Sequence, residues 1–188
     1  MEEEHDNPLL IIVPPKYVSA LLKLHEKLEG KNIEWALSGD LGESLRTVRA
    51  EPNCIEIVTS KDGAQQIHDA VSDFNGEPAA DAVEKLSRNA MIQGKEYPVY
   101  VRSRYFEFDI NKIKVKVYGD LQYKVNDWAW GDIFQFNADI VNIAGKKTSV
   151  VPLTVKNQLY TSLGWMDRAE NISKVLAIQE QILHNRFR

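Results

Sequence analysis

The residues best able to do chemistry lie between Leu37 and Ser60, in LSGDLGESLRTVRAEPNCIEIVTS, which reads as a short strand, a tight turn, a helix and a second strand. Gly39 follows the apolar run Trp35-Ala36-Leu37. A glycine there lets backbone N–H groups come close to a ligand at the start of the next helix, Leu41 to Leu45. Ser38, Gly39 and Asp40 therefore outline a phosphate-binding turn. In Cys54-Ile55-Glu56-Ile57-Val58 the alternation puts Ile55 and Ile57 on one face and Cys54 and Glu56 on the other, pointing back towards the turn. Further along, Ile113, Val115 and Val117 alternate with Lys114, Lys116 and Tyr118, which sets Lys116 on the face away from the core.

This pattern resembles the signature of the nucleotidyltransferase superfamily, the polymerase-beta-like fold, and in particular its minimal single-domain members. There, an apolar residue, a glycine and a small residue precede a spacer and then an Asp-apolar-Asp/Glu-apolar strand. The resemblance implies that the small residue contacts a nucleoside triphosphate and that the strand carboxylates hold two magnesium ions. Asp40 stands in the small position, Cys54 in the first carboxylate position and Glu56, the remaining family carboxylate, in the second. The run Val115-Lys116-Val117-Tyr118-Gly119-Asp120-Leu121 is similar to the third catalytic strand, with Lys116 in the acid's place. The tail is similar as well, with Lys156 and then Asp167-Arg168 after the last strand, so the resemblance runs from about Tyr17 to the C-terminus.

Two-metal transfer needs hard carboxylate oxygens around both ions. Setting Cys54, Glu56 and Lys116 where three acids are expected changes the formal charge from about −3 to about 0 and adds a soft thiol and a repelling ammonium. The resulting expectation is a nucleotidyltransferase-fold protein that has lost catalysis and acts as a nucleotide-binding, regulatory or protein-interaction module, with no cofactor. The alternative is an active enzyme using magnesium and a nucleoside triphosphate, its metal site rebuilt from Asp40, Glu56 and Asp120. On the first reading Glu56 and Lys116 form a structural ion pair, or Lys116 joins the N–H groups after Gly39 in holding an anion. Cys54 has no general base beside it in sequence, and His25, His68 and His184 are too scattered for a metal or a triad.

The elements that must position these residues form an α+β fold, a mixed β-sheet with helices packed on it. Residues 1–14 form an arm, 15–151 a nucleotidyltransferase-like core, and 152–188 C-terminal helices packed on the core as one domain. Tyr17, Leu21, Leu24 and Leu28 mark a helix from Pro15 to Gly30. The run Leu9 to Val13 is read as an edge strand or a segment packed on a neighbour. Asp62 is the expected N-cap of a helix carrying Ala64, Ile67, His68 and Val71. From Ser72 to Gly94 the Gly-, Pro- and Asp-rich chain suggests a loop with at most a short helix from Ala80 to Leu86. Tyr97–Asp109 and Lys112–Gly119 read as a hairpin around Ile110-Asn111, facing Phe108 to Ile113, Glu107 to Lys114 and Tyr105 to Lys116. Ile133 to Ile143 and Ser149 to Val151 supply further strands, the tryptophans are packing residues, and two helices follow Pro152, the second with an apolar stripe from Ile172 to Leu183.

Of 188 residues 44% are hydrophobic and 27% charged, ordinary for a globular chain of one domain. The net charge of −4 offers no general attraction to nucleic acid or anionic membrane. A single cysteine rules out an internal disulfide and suits a cytoplasmic protein; Leu9–Val13 is too short to span a bilayer. A nucleotide, a protein partner or a second copy in a homodimer are the partners left open.

Overall fold

The computed structural model describes residues 13–74 and 76–186, so the expectations for the arm before Val13 lie outside the described residues. Helix α1 (Pro15–Leu28) begins with proline in its first turn and buries Tyr17, Ala20, Leu21, Leu24 and Leu28, the stripe read from spacing. Then come β1 (Trp35–Ser38), α2 (Gly39–Ser44), β2 (Ile55–Thr59) and α3 (Lys61–Ala70). Next are β3 (Ala80–Lys85), β4 (Ala90–Ile92), β5 (Lys95–Tyr97), β6 (Val99–Ile110) and β7 (Ile113–Val125). The chain closes with β8 (Asp139–Ile143), β9 (Lys146–Val150), α4 (Leu153–Ser162) and α5 (Met166–Arg186).

Seven strands form one mixed sheet in the order β3-β6-β7-β2-β1-β9-β8. Strand β2 runs antiparallel to β1 and parallel to β7, so the chemistry-bearing stretch sits at the sheet's centre. Ile55, Ile57, Val115 and Val117 are fully buried with Leu21, Leu24 and Ile67, which places α1 and α3 over one face. The opposite face carries Ala36, Val58, Val101, Leu121 and Val151, against which Phe134, Phe136 and Val155 pack. The C-terminal helices share a third cluster, in which Leu153, Tyr160, Trp165 and Ile172 meet Val48, Ala90 and Val99. Among the described residues no helix is long and apolar enough to cross a membrane.

Several details differ from the sequence reading. Residues 80–85 are a strand, not a loop with a short helix: β3 pairs antiparallel with β6 from Ala80↔Tyr105 to Lys85↔Tyr100. Being an edge strand with exposed and half-buried positions, it lacks the apolar run that marks a buried one. The hairpin turn is Asn111-Lys112, one residue later than Ile110-Asn111, so that Phe108 faces Val115, Glu107 faces Lys116 and Tyr105 faces Tyr118. Both turn residues have positive φ, 52° and 65°. A two-residue hairpin of this kind needs that geometry twice; asparagine tolerates it, and β-branched Ile110 is better placed in the strand. Lys112→Gly should therefore stabilise the chain by about 1 kcal/mol in urea unfolding, the order of the left-handed penalty on a side-chain-bearing residue.

Ser60, not Asp62, caps α3, its hydroxyl accepting from the Gly63 N–H at 2.9 Å. Only Asp139–Ile143 of the expected strand from Ile133 is regular; residues 129–138 form a strap running back along β7, with Gly131 N–H donating to Tyr123 O and Phe134 N–H to Leu121 O. On α5 the stripe is buried at Ile172 and half-buried at Val175, Leu176 and Gln179, while Ile182 is exposed.

Candidate functional site

Strand β1 delivers Ser38 to the end of the sheet, and the chain turns at Gly39, whose φ of +60° suits glycine. A Cβ there would lie 2.6 Å from the Glu56 carboxyl carbon, so the missing side chain leaves the space that the Glu56 carboxylate fills. Cross-strand register sets Ser38, Glu56, Lys116 and Glu107 in a row over β1, β2, β7 and β6. Cys54, just before β2, donates from Sγ to Glu56 Oε1 at 3.8 Å, so both share the face opposite the buried Ile55 and Ile57. The expected Glu56–Lys116 ion pair is not made: no N···O contact within 4.0 Å joins them, although they are direct neighbours. Their backbones are set by the ladder, and a parallel pair of long side chains can lean apart along the strands.

Burial first, and then the Glu56 charge, push the Cys54 thiol up to about 11. At neutral pH it is a protonated thiol, neither nucleophile nor hard metal ligand. Glu107 is held below the ordinary carboxyl range by hydrogen bonds from Lys114 and Tyr105, with Lys116 adding to the effect. The Tyr118 and Tyr105 rings meet at a 44° tilt with centroids 5.2 Å apart, both hydroxyls driven upward chiefly by burial.

The turn's own acid, Asp40, is engaged by a residue 128 positions away: Arg168 at the start of α5 donates Nη2 to Asp40 Oδ1 and also to Glu43 Oε2, the latter at 2.9 Å. Glu43 is only 3% exposed. It also pairs with Lys156 of α4 at 3.2 Å and accepts from the Tyr160 hydroxyl, while Lys156 reaches Ser38 Oγ at 3.4 Å. Burial pushes the Glu43 carboxyl up, but Lys156, Arg168 and the Tyr160 hydroxyl outweigh it and hold the pKa below its usual value. The two C-terminal helices thus supply both cations of a buried network on the turn.

Ser38, Gly39, Asp40, Cys54, Glu56 and Lys116 are therefore brought together. Asp120 is not: it lies four residues beyond Lys116 on β7, about 13 Å along the strand, and its Oδ1 accepts from the Lys61 N–H at the start of α3. Glu43 and Tyr160 were missed. In sequence Glu43 reads as one more acid of a short polar helix, and only the spacing of Lys156 and Arg168 hinted at something anionic to hold. Among the described residues no group of three His, Cys, Asp or Glu side chains is placed to hold a metal ion. The magnesium implied by the resemblance does not fit this donor set, in which Asp40 and Glu43 already bind Arg168 and Lys156 and the remaining acid, Glu56, has Lys116 as its strand neighbour.

No family model matches the sequence, and no curated protein does. Among solved structures, a candidate nucleotidyltransferase from Thermotoga maritima superposes with a TM-score of 0.61 at 27% identity, over 88% of this chain and 95% of the other. The structure of ANT(2″)-Ia in complex with adenylyl-2″-tobramycin matches in fold at a TM-score of 0.50 and 12% identity, over 92% and 97% of the two chains. With its mixed seven-stranded sheet, its glycine turn and its C-terminal helices, the chain has a nucleotidyltransferase-like fold.

Proposed function

We propose that this protein keeps the nucleotidyltransferase fold but not two-metal transfer, and serves in the cytoplasm as a nucleotide-binding or regulatory module with a degenerate site. The observation that carries this reading is Arg168. Its guanidinium bridges Asp40 and Glu43, a place where a metal-dependent site would need free carboxylate oxygens. Lys116 beside Glu56 acts in the same sense, because an ammonium next to the remaining strand acid opposes a divalent ion. Lys116, which among the described residues has no carboxylate within 4.0 Å, is the cation left to meet a phosphate, which a nucleotide would present without being turned over. A protein partner or a second copy would then read the occupied state.

Rebuilding the acids tests this. In the double variant Cys54→Asp, Lys116→Asp, two new carboxylates crowd Glu56, so the metal-free protein should melt below the wild type and regain on the order of 5 °C with millimolar magnesium. The wild type should show no magnesium shift. A wild-type shift as large as the variant's would overturn the proposal.

A further inference from the structure

We propose that a second site, at the far end of the sheet from Gly39, binds a small zwitterion with an aromatic or branched apolar body, chemically a free amino acid or a short apolar peptide. The site is a cavity of about 880 Å³ between the strap and the start of β1, within the range of small-molecule sites. Its apolar wall is formed by Phe134 and Phe136 of the strap with Val58 and Leu121 of the sheet, the two rings half-buried and 5.4 Å apart.

Charge selects the ligand. Around the cavity, Lys146 pairs with Glu29 at 3.3 Å and Asp120 accepts from the Lys61 N–H. Burial, then the Lys146 charge, lower the His25 pKa, so that its imidazole is uncharged at neutral pH, with Nε2 against Thr148 Oγ1 at 2.7 Å. Two charged side chains in the lining remain without a hydrogen bond or ion pair, Glu34 and Lys147. Both line the same cavity, and each lies three residues before a paired strand residue: Glu34 before Leu37 of β1, and Lys147 before Val150 of β9, which runs parallel to it. The two are exposed and share the lining with the strap residues Phe134 and Phe136. A simple anion would meet Lys147 but also Glu34, and a simple cation the reverse. A molecule carrying both an ammonium and a carboxylate satisfies the two at once, with its apolar body against the phenylalanines.

The test uses the full chain with L-phenylalanine, the dipeptide phenylalanylphenylalanine, N-acetyl-L-phenylalanine amide and adenosine triphosphate, read by saturation-transfer NMR and by titration. Saturable binding is expected for at least one zwitterion, weaker by roughly threefold or more in Glu34→Gln and in Lys147→Gln, in line with the loss of one exposed charge contact. Both substitutions fall on exposed side chains, and unchanged melting curves would confirm that each variant folds. Tighter binding of the dipeptide would assign a peptide, and tighter binding of the amino acid a free amino acid. The proposal is overturned if neither zwitterion saturates, if the uncharged amide binds as well, if the nucleotide displaces the zwitterion, or if both variants keep wild-type affinity.

Discussion

Replacing Glu43 with glutamine should cost about 3 kcal/mol of stability, a fall in Tm on the order of 10 °C for a chain of this size. The exchange preserves shape, so the loss is electrostatic: Lys156, 5% exposed, is left buried with no counter-charge, and Arg168 keeps only Asp40. Removing the stranded cation as well should recover most of the loss, because a buried pair replaced by apolar groups is often neutral. Glu43→Gln with Lys156→Met should therefore melt close to the wild type. The pH dependence has a fixed sign. The folded-state pKa of Glu43 lies below its ordinary value, so its contribution is complete at neutral pH and is lost as pH falls through the acid range to the folded pKa. Acid unfolding should be steeper in the wild type than in Glu43→Gln. Equal stability of the two at pH 7 would remove Glu43 from the centre of the network.

Gly164→Ala should be the most damaging single methyl in the chain, on the order of 3 kcal/mol or more from backbone conformation and overpacking together. Gly164 turns α4 into α5 with φ +68°, and a Cβ there would come within 1.8 Å of the Met91 carbonyl oxygen. The obstacle is backbone on a hairpin tied to the same turn, by Met91 N–H to Leu163 O at 3.0 Å and by the Trp165 indole N–H to Asn89 O at 2.8 Å. Relief requires lifting the helices from β4–β5, which would also move Lys156 and Arg168 away from Glu43. Gly30→Ala is the control, since φ is similar at +72° but nothing lies within 4 Å, so only the conformational cost remains. Urea unfolding of the two variants separates the causes; equal losses would mean that the close approach to Met91 is absent in solution.

The parts of the site that were legible in the sequence are the ones held by local geometry. Strand alternation alone put Cys54 and Glu56 on one face, and glycine after an apolar run marked the turn. Lys116 was found because β7 alternates cleanly, though its neighbour across β6 was shifted by the turn chemistry of Asn111 and Lys112. Glu43 was not legible. Its three partners lie 113 to 125 residues away in chain (43 to 156, 160 and 168), and nothing local separates a buried acid from a solvated one in Gly-Asp-Leu-Gly-Glu-Ser. Strand β3 was missed for the reason edge strands generally are: four of its six residues are exposed and none is buried, and what marks it as a strand is the hydrogen-bonding of β6. The strap was misread in the other direction, since Ile133, Phe134 and Phe136 carry strand-like composition, but the two phenylalanines are spent on covering the sheet and Ile133 is exposed.

The proposal of a fold retained without metal-dependent transfer is tested most directly by titrating the wild-type chain with a nonhydrolysable nucleoside triphosphate, once in millimolar magnesium and once in excess chelator. With Asp40 and Glu43 held by Arg168, and Lys116 beside Glu56, the two affinities should agree within about twofold and both should be weak. A gain of tenfold or more with magnesium, about 1.4 kcal/mol, that disappears in Asp40→Asn would contradict the account, because Asp40 would then be releasing Arg168 to bind the metal.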